Sequence, residues 1–284
     1  MFVTRFAPSP TGYLHLGHAY SAVLAHDAAR AAGGQFLLRI EDIDETRCRP
    51  EFDAAILEDL AWLGLSWDGE VLRQSTRRAV YESYRAQLEA DGLLYRCFKT
   101  RKEILDDIAR APHGAGEGPD GLIYVGATLP PDEEKARLEK GESFAWRLSL
   151  QAARQKLGDT FDALRFAETG EKYTGMHTAR PDLMGDVVLA RKDLGVAYHL
   201  AAVIDDALQN VTHVIRGEDL FASTHIHVLL QALLGLPTPA YRHHALIVGP
   251  DGKRYAKRDQ SVTLRALRAE SKGPEDIRRL IGLT

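Results

Sequence analysis

The residues best suited to chemistry lie near the amino terminus, in the run Arg5-Phe6-Ala7-Pro8-Ser9-Pro10-Thr11-Gly12-Tyr13-Leu14-His15-Leu16-Gly17-His18. His15 and His18 are three apart, so on a helix they share one face, and both imidazoles can donate hydrogen bonds to phosphate oxygens. Gly17 between them has no side chain to obstruct a flat ring or a phosphate. Phe2 to Phe6 is a short apolar run fit for a buried strand. Pro8, Pro10 and Gly12 forbid its continuation, and His15 through Ala29 is alanine-rich helix former. A strand, a turn and a helix in that order place the helix amino terminus at the carboxyl edge of a parallel sheet, where unpaired amides and a partial positive charge favour an anion. The plainer alternative is a tight turn whose histidines cap or fill.

Other chemistry-bearing clusters follow along the chain. Gln35 to Ile40 is an apolar strand that ends in Glu41-Asp42-Ile43-Asp44-Glu45, whose carboxylates fit a Mg²⁺ site, an amine-binding site or helix-capping acids. Val211 to Ile215 is a buried strand that ends in Arg216-Gly217-Glu218-Asp219. A guanidinium there can hold a carboxylate by two parallel hydrogen bonds, or pair at the surface with Asp219. His225, His227, His243 and His244 invite a metal reading, but their spacings match no common site. Gly249 to Arg258 is a glycine-containing turn followed by basic residues, suited to a loop over phosphates or to an exposed hairpin tip.

The opening run resembles the signature of class I aminoacyl-tRNA synthetases, specifically their glutamyl branch, where it binds ATP and the amino acid. The resemblance extends to Arg39-Ile40-Glu41-Asp42, to Tyr198-x-x-Ala201-x-x-x-Asp205-Asp206 and to Val214-Ile215-Arg216-Gly217-Glu218-Asp219. It implies an α/β fold: a Rossmann-like doubly wound parallel sheet with an inserted α+β subdomain and a short basic carboxyl-terminal segment. It also implies an L-glutamate site formed by Arg5, Phe6, Ala7, Pro8, Ser9, Glu41, Tyr198 and Arg216, with Glu41 on the ammonium. ATP would be met by His15, Gly17, His18 and Lys257, of which His15, His18 and Lys257 would be catalytic, with Mg²⁺. Lys257 falls on the lysine of the second family signature, here Arg254-Tyr255-Ala256-Lys257-Arg258, in which Ala256 has lost a serine hydroxyl.

Organisation follows from the same reading: residues 1–96 as the first half of the catalytic domain, 97–185 as an insertion near tRNA, 186–250 as the second half, and 251–284 as signature loop and helical segment. Within the insertion, 113–119 reads as loop and Pro130 to Lys140 as a charged helix. Many family members hold zinc in this insertion. Here Cys97 is present, but Lys99 and Thr128 occupy the positions of two other ligands and cannot replace them, and His113, His177 and His199 are widely separated. No structural zinc is expected, and no metal-ligating residue is assigned.

Hydrophobic residues at 45% and charged residues at 27% suit a globular protein long enough to bury a sizeable core. Two cysteines give no disulfide framework, and the amino terminus lacks a signal-peptide pattern, so a cytoplasmic protein is expected. Leu220 to Tyr241 has no Asp, Glu, Lys or Arg, yet its hydroxyls, histidines and prolines mark a buried helix and turn rather than a membrane span. The net charge of −4 argues against nonspecific nucleic-acid binding, whereas residues from Asp251 onward carry nine Lys/Arg against five Asp/Glu, a basic face for phosphates or a solvated helix. Only 26 residues follow Arg258, too few for helical anticodon-binding domains. This shortness resembles a truncated paralogue within the glutamyl branch, which esterifies glutamate to the queuosine base in the anticodon of tRNA(Asp). The implied partners are queuosine-bearing tRNA(Asp), L-glutamate and ATP, with no membrane and a monomeric state. Three alternatives stay open: a shortened glutamyl-tRNA synthetase charging a tRNA 3′ end, a noncatalytic tRNA-binding paralogue, and another nucleotidyltransferase that shares the His-x-Gly-His motif, which would lack the set of Arg5, Glu41, Tyr198 and Arg216.

Overall fold

The computed structural model describes residues 1–110, 117–119, 121–192, 195–247 and 262–283. The first unit is a crossover. Strand β1 (Val3–Phe6) is buried at all four positions, as a strand covered on both faces must be. Helix α1 (Leu16–Ala31) follows, and β2 (Gln35–Ile40) returns parallel to β1 with Val3 opposite Gln35. The turn into β2 demands glycine at position 34, where a Cβ would meet the Phe2 carbonyl oxygen at 2.2 Å. Helix α2 (Pro50–Trp62) starts with proline in its first turn and leads to the short parallel strand β3 (Leu72–Arg73). A 3₁₀ turn begins at Gln74 and continues into α3 (Arg78–Ala90).

A second, antiparallel sheet follows. It comprises β4 (Leu94–Cys97), and then, after α4 (Arg101–Arg110), β5 (Glu117–Gly118), β6 (Gly121–Leu122) and α5 (Pro131–Glu139), strand β7 (Ala145–Leu148). Helices α6 (Leu150–Leu157) and α7 (Thr160–Ala163) precede β8 (Arg165–Glu168) and β9 (Gly175–Thr178). After Asp186, β10 (Val188–Arg191) and β11 (Gly195–Val196) pair antiparallel, and β10 joins β7. Most of the loop expected at 113–119, including His113, lies outside the described residues.

Helix α8 (Tyr198–Leu208) leads into β12 (His213–Gly217), α9 (Phe221–Leu234) and β13 (Ala240–His244). β12, β13 and β8 are parallel neighbours, with Arg216 opposite His243 and Tyr241 opposite Glu168. Residues 97–185 therefore supply strands to both sheets. β12 begins beside β1: Thr212 N donates to the Val3 carbonyl at 2.9 Å, and Val3 N donates to Thr212 Oγ1 at 2.9 Å. From this seam β1–β2–β3 runs one way and β12–β13–β8 the other, which is the arrangement of a switch point where ligands bind at strand carboxyl ends.

Helices α10 (Leu264–Ala269) and α11 (Pro274–Leu280) return to the first half, where Leu264 and Ile277 join Phe6, Leu14, Leu38, Ile56 and Leu60 in one core. A second core gathers Trp146, Phe166, Leu200, Leu229 and Tyr241 beneath α8 and α9. α9 is buried around nearly its whole circumference, and no described helix is long and apolar enough to cross a membrane. Neither cysteine forms a disulfide; Cys97 is buried with its Sγ 3.8 Å from the Tyr124 hydroxyl, and Cys48 is half-buried.

Candidate active site

The amino-terminal signature folds as a strand end, a turn and a helix start, as the sequence implies. His15 is the N-cap of α1: its Nδ1 accepts from Gly17 N at 3.1 Å, while His18 Nδ1 accepts from His15 N at 3.2 Å. Those two bonds occupy the Nδ1 lone pairs, so each neutral imidazole carries its proton on Nε2, a donor suited to a phosphate oxygen. The rings lie 3.8 Å apart, centroid to centroid. Both histidines thus serve as caps while presenting donors at a helix amino terminus.

Phe6 ends β1, and Ala7, Pro8 and Ser9 form the turn beyond it. The Pro8 carbonyl accepts from Glu41 N at 3.0 Å, and that of Pro10 from Arg49 N at 3.0 Å, so the turn is laced to the loop after β2. Among the four acids of that loop only Glu41 enters the site. Asp42 accepts from Ser75 N and Oγ at 2.8 and 2.6 Å, Asp44 from Thr46 and Arg47, and Glu45 pairs with Arg78, so these three bind turns together.

Around Glu41 stands a buried charge network that the sequence reading did not assign. Arg5 donates to both Asp206 oxygens, at 2.8 and 3.3 Å. The fully buried Arg39 donates to Asp206 Oδ1 at 2.7 Å and to Glu41 Oε1 at 3.2 Å. Burial alone would raise the Asp206 carboxyl, but Arg5 and Arg39 hold it down to about 2. Burial does prevail at Glu41, whose carboxyl is raised despite the opposing pull of Arg39 and Arg5. The signals were present in the sequence: Arg39 near the end of β2 and Glu41 just past it are two apart, and Asp206 stands two helical turns after Tyr198.

Tyr198 opens α8, and its hydroxyl accepts from Arg216 Nη1 at 3.2 Å. Burial raises the phenol, and the charges of Arg216, Glu41, Arg5 and Asp206 all reach it, so the four expected glutamate-site side chains converge on one place. Arg216 itself is 6% exposed. Its donors go to His243 Nε2 at 3.1 Å, Tyr198 Oη, the Leu220 carbonyl at 3.1 Å and Thr224 Oγ1 at 2.7 Å, with His227 Nδ1 at 3.4 Å. Among the described residues it has no carboxylate partner; the surface pairing with Asp219 is not formed.

The late histidines do not gather as a metal centre. His225 Nδ1 accepts from Arg180 N at 3.2 Å, His244 Nε2 meets Ser21 Oγ at 2.8 Å, and His243 binds Glu168. His227 is buried, and burial followed by the Arg216 charge pushes it well below the ordinary range; the same causes bring His199, 3.3 Å away, down to about 4. Both are therefore neutral at pH 7 and add no charge beside Arg216. No three His, Cys, Asp or Glu among the described residues form a group that could hold a metal ion.

Lys257 and the rest of the second signature, 249–258, lie outside the described residues. The described chain resumes at Val262, and Thr263 forms an isolated antiparallel bridge with His15, with Leu264 N donating to the Leu14 carbonyl at 2.8 Å.

The family described as tRNA synthetases class I (E and Q), catalytic domain, matches residues 1–284. A relative from Rhodobacter capsulatus, "Glutamyl-Q tRNA(Asp) synthetase", is 52% identical over 99% of this chain and 100% of its own length. Another of that name, from Symbiobacterium thermophilum, is 42% identical over 98% of the chain and 84% of its own length. Among solved structures, a glutamate tRNA ligase from Elizabethkingia meningosepticum in complex with its amino acid superposes with a TM-score of 0.80 at 29% identity, over 99% of this chain and 60% of that one. With its Rossmann-like α/β sheet, the chain belongs to the class I tRNA synthetases of the E and Q type, and is a ligase.

Proposed function

We propose that the protein activates L-glutamate with ATP and transfers it to the queuosine base in the anticodon of tRNA(Asp). The observation that carries the glutamate half is Arg216, a buried guanidinium without a carboxylate partner among the described residues, beside Tyr198 and Glu41. A buried charge is costly unless paired, and a carboxylate ligand is what this one lacks. Arg5 and Arg39 are already answered by Asp206 and Glu41, which leaves Arg216 as the guanidinium open to a substrate carboxylate. In this reading Arg216 takes the side-chain carboxylate, Glu41 the ammonium, and the Phe6–Ser9 turn lies along the substrate. Arg5, already bound to Asp206, acts chiefly by holding that face in place.

The substrate α-carboxylate then attacks the ATP α-phosphate in line, and pyrophosphate leaves. No protein nucleophile is needed, so rate enhancement comes from positioning and from donors around the phosphates. His15 and His18 through Nε2–H, the Gly17 region of the α1 amino terminus, and Lys257 are the donors we assign. Thr263, six residues beyond Lys257, is bridged to His15, which supports a shared nucleotide site. The described residues offer no carboxylate cage for Mg²⁺, because Asp42, Asp44 and Glu45 are engaged in turns; the ion fits here only as a companion of the nucleotide phosphates. A hydroxyl of queuosine finally displaces AMP from the glutamyl-adenylate.

The names of the two relatives support the acceptor. Incubation with labelled glutamate, ATP and tRNA(Asp), followed by nuclease digestion, tests it: label on the modified nucleoside is expected, whereas label on the 3′-terminal adenosine would establish charging of the acceptor end instead. Absence of glutamate-dependent ATP–pyrophosphate exchange would favour a noncatalytic tRNA binder. A monomer working in the cytoplasm completes the proposal, and size-exclusion chromatography with light scattering tests the first of these.

A further inference from the structure

Arg216 is held by an unusual partner. His243 sits opposite it on the adjacent strand, and both side chains of the Glu168–His243 pair are completely buried. Glu168 Oε2 lies 2.5 Å from His243 Nδ1, while Oε1 accepts from His243 N at 3.0 Å and from Gly170 N at 2.6 Å. Gly170 is fitted to this contact, since a Cβ there would stand 2.4 Å from the His243 carbonyl oxygen and 2.8 Å from Glu168 Oε1. On the opposite edge of the ring, His243 Nε2 is 3.1 Å from Arg216 Nε and 3.2 Å from Thr224 Oγ1.

Hydrogen-bond polarity leaves one arrangement. A guanidinium Nε–H can only donate, so His243 Nε2 must present its lone pair, and the ring proton must be on Nδ1. Only an acceptor facing Nδ1 can keep it there, and the Glu168 carboxylate is that acceptor. Burial opposes ionisation of Glu168, but hydrogen bonds from the His243 side chain and backbone and from Gly170 lower its carboxyl below the ordinary value. We propose that Glu168 and His243 are positioning residues of the amino-acid site: Glu168 fixes the His243 tautomer, and His243 in that tautomer orients the Arg216 guanidinium toward the substrate carboxylate. The inference rests on the reading of Arg216 given above.

The decisive variant is Glu168→Gln, which preserves shape but turns an N–H₂ toward His243 Nδ1 when its oxygen keeps the two backbone amides. The ring proton then moves to Nε2 and meets the Arg216 Nε–H donor to donor. Outer hydrogen-bond partners of this kind are worth roughly 10–100-fold. Glutamate-dependent ATP–pyrophosphate exchange is therefore expected to show KM for glutamate raised ~10-fold or more, with KM for ATP and kcat at saturating glutamate within about threefold of the parent. A role in packing alone would lower the unfolding temperature without this selectivity.

His243→Gln supplies a second arm, since its side-chain oxygen can accept from Arg216 without help from Glu168. It should bind glutamate better than His243→Leu, and adding Glu168→Gln to His243→Gln should cost little more, a non-additivity that reports the coupling. Equal KM values for the parent, Glu168→Gln and both His243 variants would overturn the relay, as would fully additive effects. Should Glu168→Gln not fold, the contrast between His243→Gln and His243→Leu decides. Arg216→Ala distinguishes the two levels: unchanged KM for glutamate removes the reading of Arg216 itself, whereas raised KM there with a silent Glu168→Gln removes only the relay.

Discussion

Asp206 binds Arg5 through two hydrogen bonds, to Nε at 2.8 Å and Nη2 at 3.3 Å, and thereby joins α8 to the first strand of the chain across 201 residues. Because Arg39 donates to the same carboxylate, Asp206→Asn would leave two buried guanidiniums undercompensated. Loss of one partner from such a buried pair costs about 3–5 kcal/mol. Urea unfolding should show a fall of that order, with the midpoint moving to lower denaturant.

The same carboxylate makes stability acid-sensitive. Its value falls from 3.8 to about 2 in the folded state. A depressed carboxyl stabilises above the unfolded value, and that contribution is lost as pH falls through the folded one, so Asp206 supplies ~2.5 kcal/mol that disappears between about pH 4 and pH 2. Unfolding followed by circular dichroism across that window checks it, and Asp206→Asn should flatten the dependence.

Arg216→Ala should raise KM for glutamate by ~10–100-fold, the worth of a charge-assisted hydrogen bond or two, and leave KM for ATP unchanged. Arg216→Lys should restore little, because an ammonium cannot reproduce the planar fork that reaches His243, Tyr198 and Thr224 together. Steady-state kinetics with each substrate varied separates these effects.

Glutamate binding should weaken in mild acid. Burial raises the Glu41 carboxyl, and only its ionised form attracts an ammonium. KM for glutamate is therefore expected to be flat at higher pH and to climb as pH falls through that raised value, earlier than a solvent-exposed carboxyl would produce. In Glu41→Gln the parent's acid limb should vanish, with KM high throughout.

His15 and His18 should differ in what they cost. His15→Ala removes the cap of α1 as well as a phosphate donor, so about 1 kcal/mol of stability and activity fall together. His18→Asn, whose amide oxygen can still accept from His15 N, and Lys257→Ala should each lower kcat by ~10²-fold or more with the unfolding temperature nearly unchanged, by comparison with other lost transition-state donors. Pyrophosphate exchange alongside calorimetry resolves the two patterns.

Much of this was legible in the residues. The short apolar run from Phe2 to Phe6, the proline-rich stop and the alanine-rich run from His15 through Ala29 are local signals, and they folded as strand β1, a turn and helix α1. The helix and turn within Leu220–Tyr241 formed likewise. Glu168 was not readable in this way: it ends a four-residue strand whose partner Tyr241 lies 73 residues on, so its meeting with His243 is a product of sheet order rather than of any spacing. Asp206 was quoted only as part of a motif, because a carboxylate on a helix does not announce which strand's guanidinium it will face. Arg216 was named from the sequence as a substrate grip or a surface ion-pair partner, and only its burial and its neutral neighbours weigh between the two.

The two thiols are unequal in a way that experimenters can exploit. Cys97 is enclosed beside Tyr124, whereas Cys48 is half-buried in the segment that begins at Glu41, its amide tied to the Asp44 carbonyl at 3.0 Å. A maleimide dye added to the native chain will therefore modify Cys48 first, and place an optical reporter on the loop that follows β2 without any engineered cysteine.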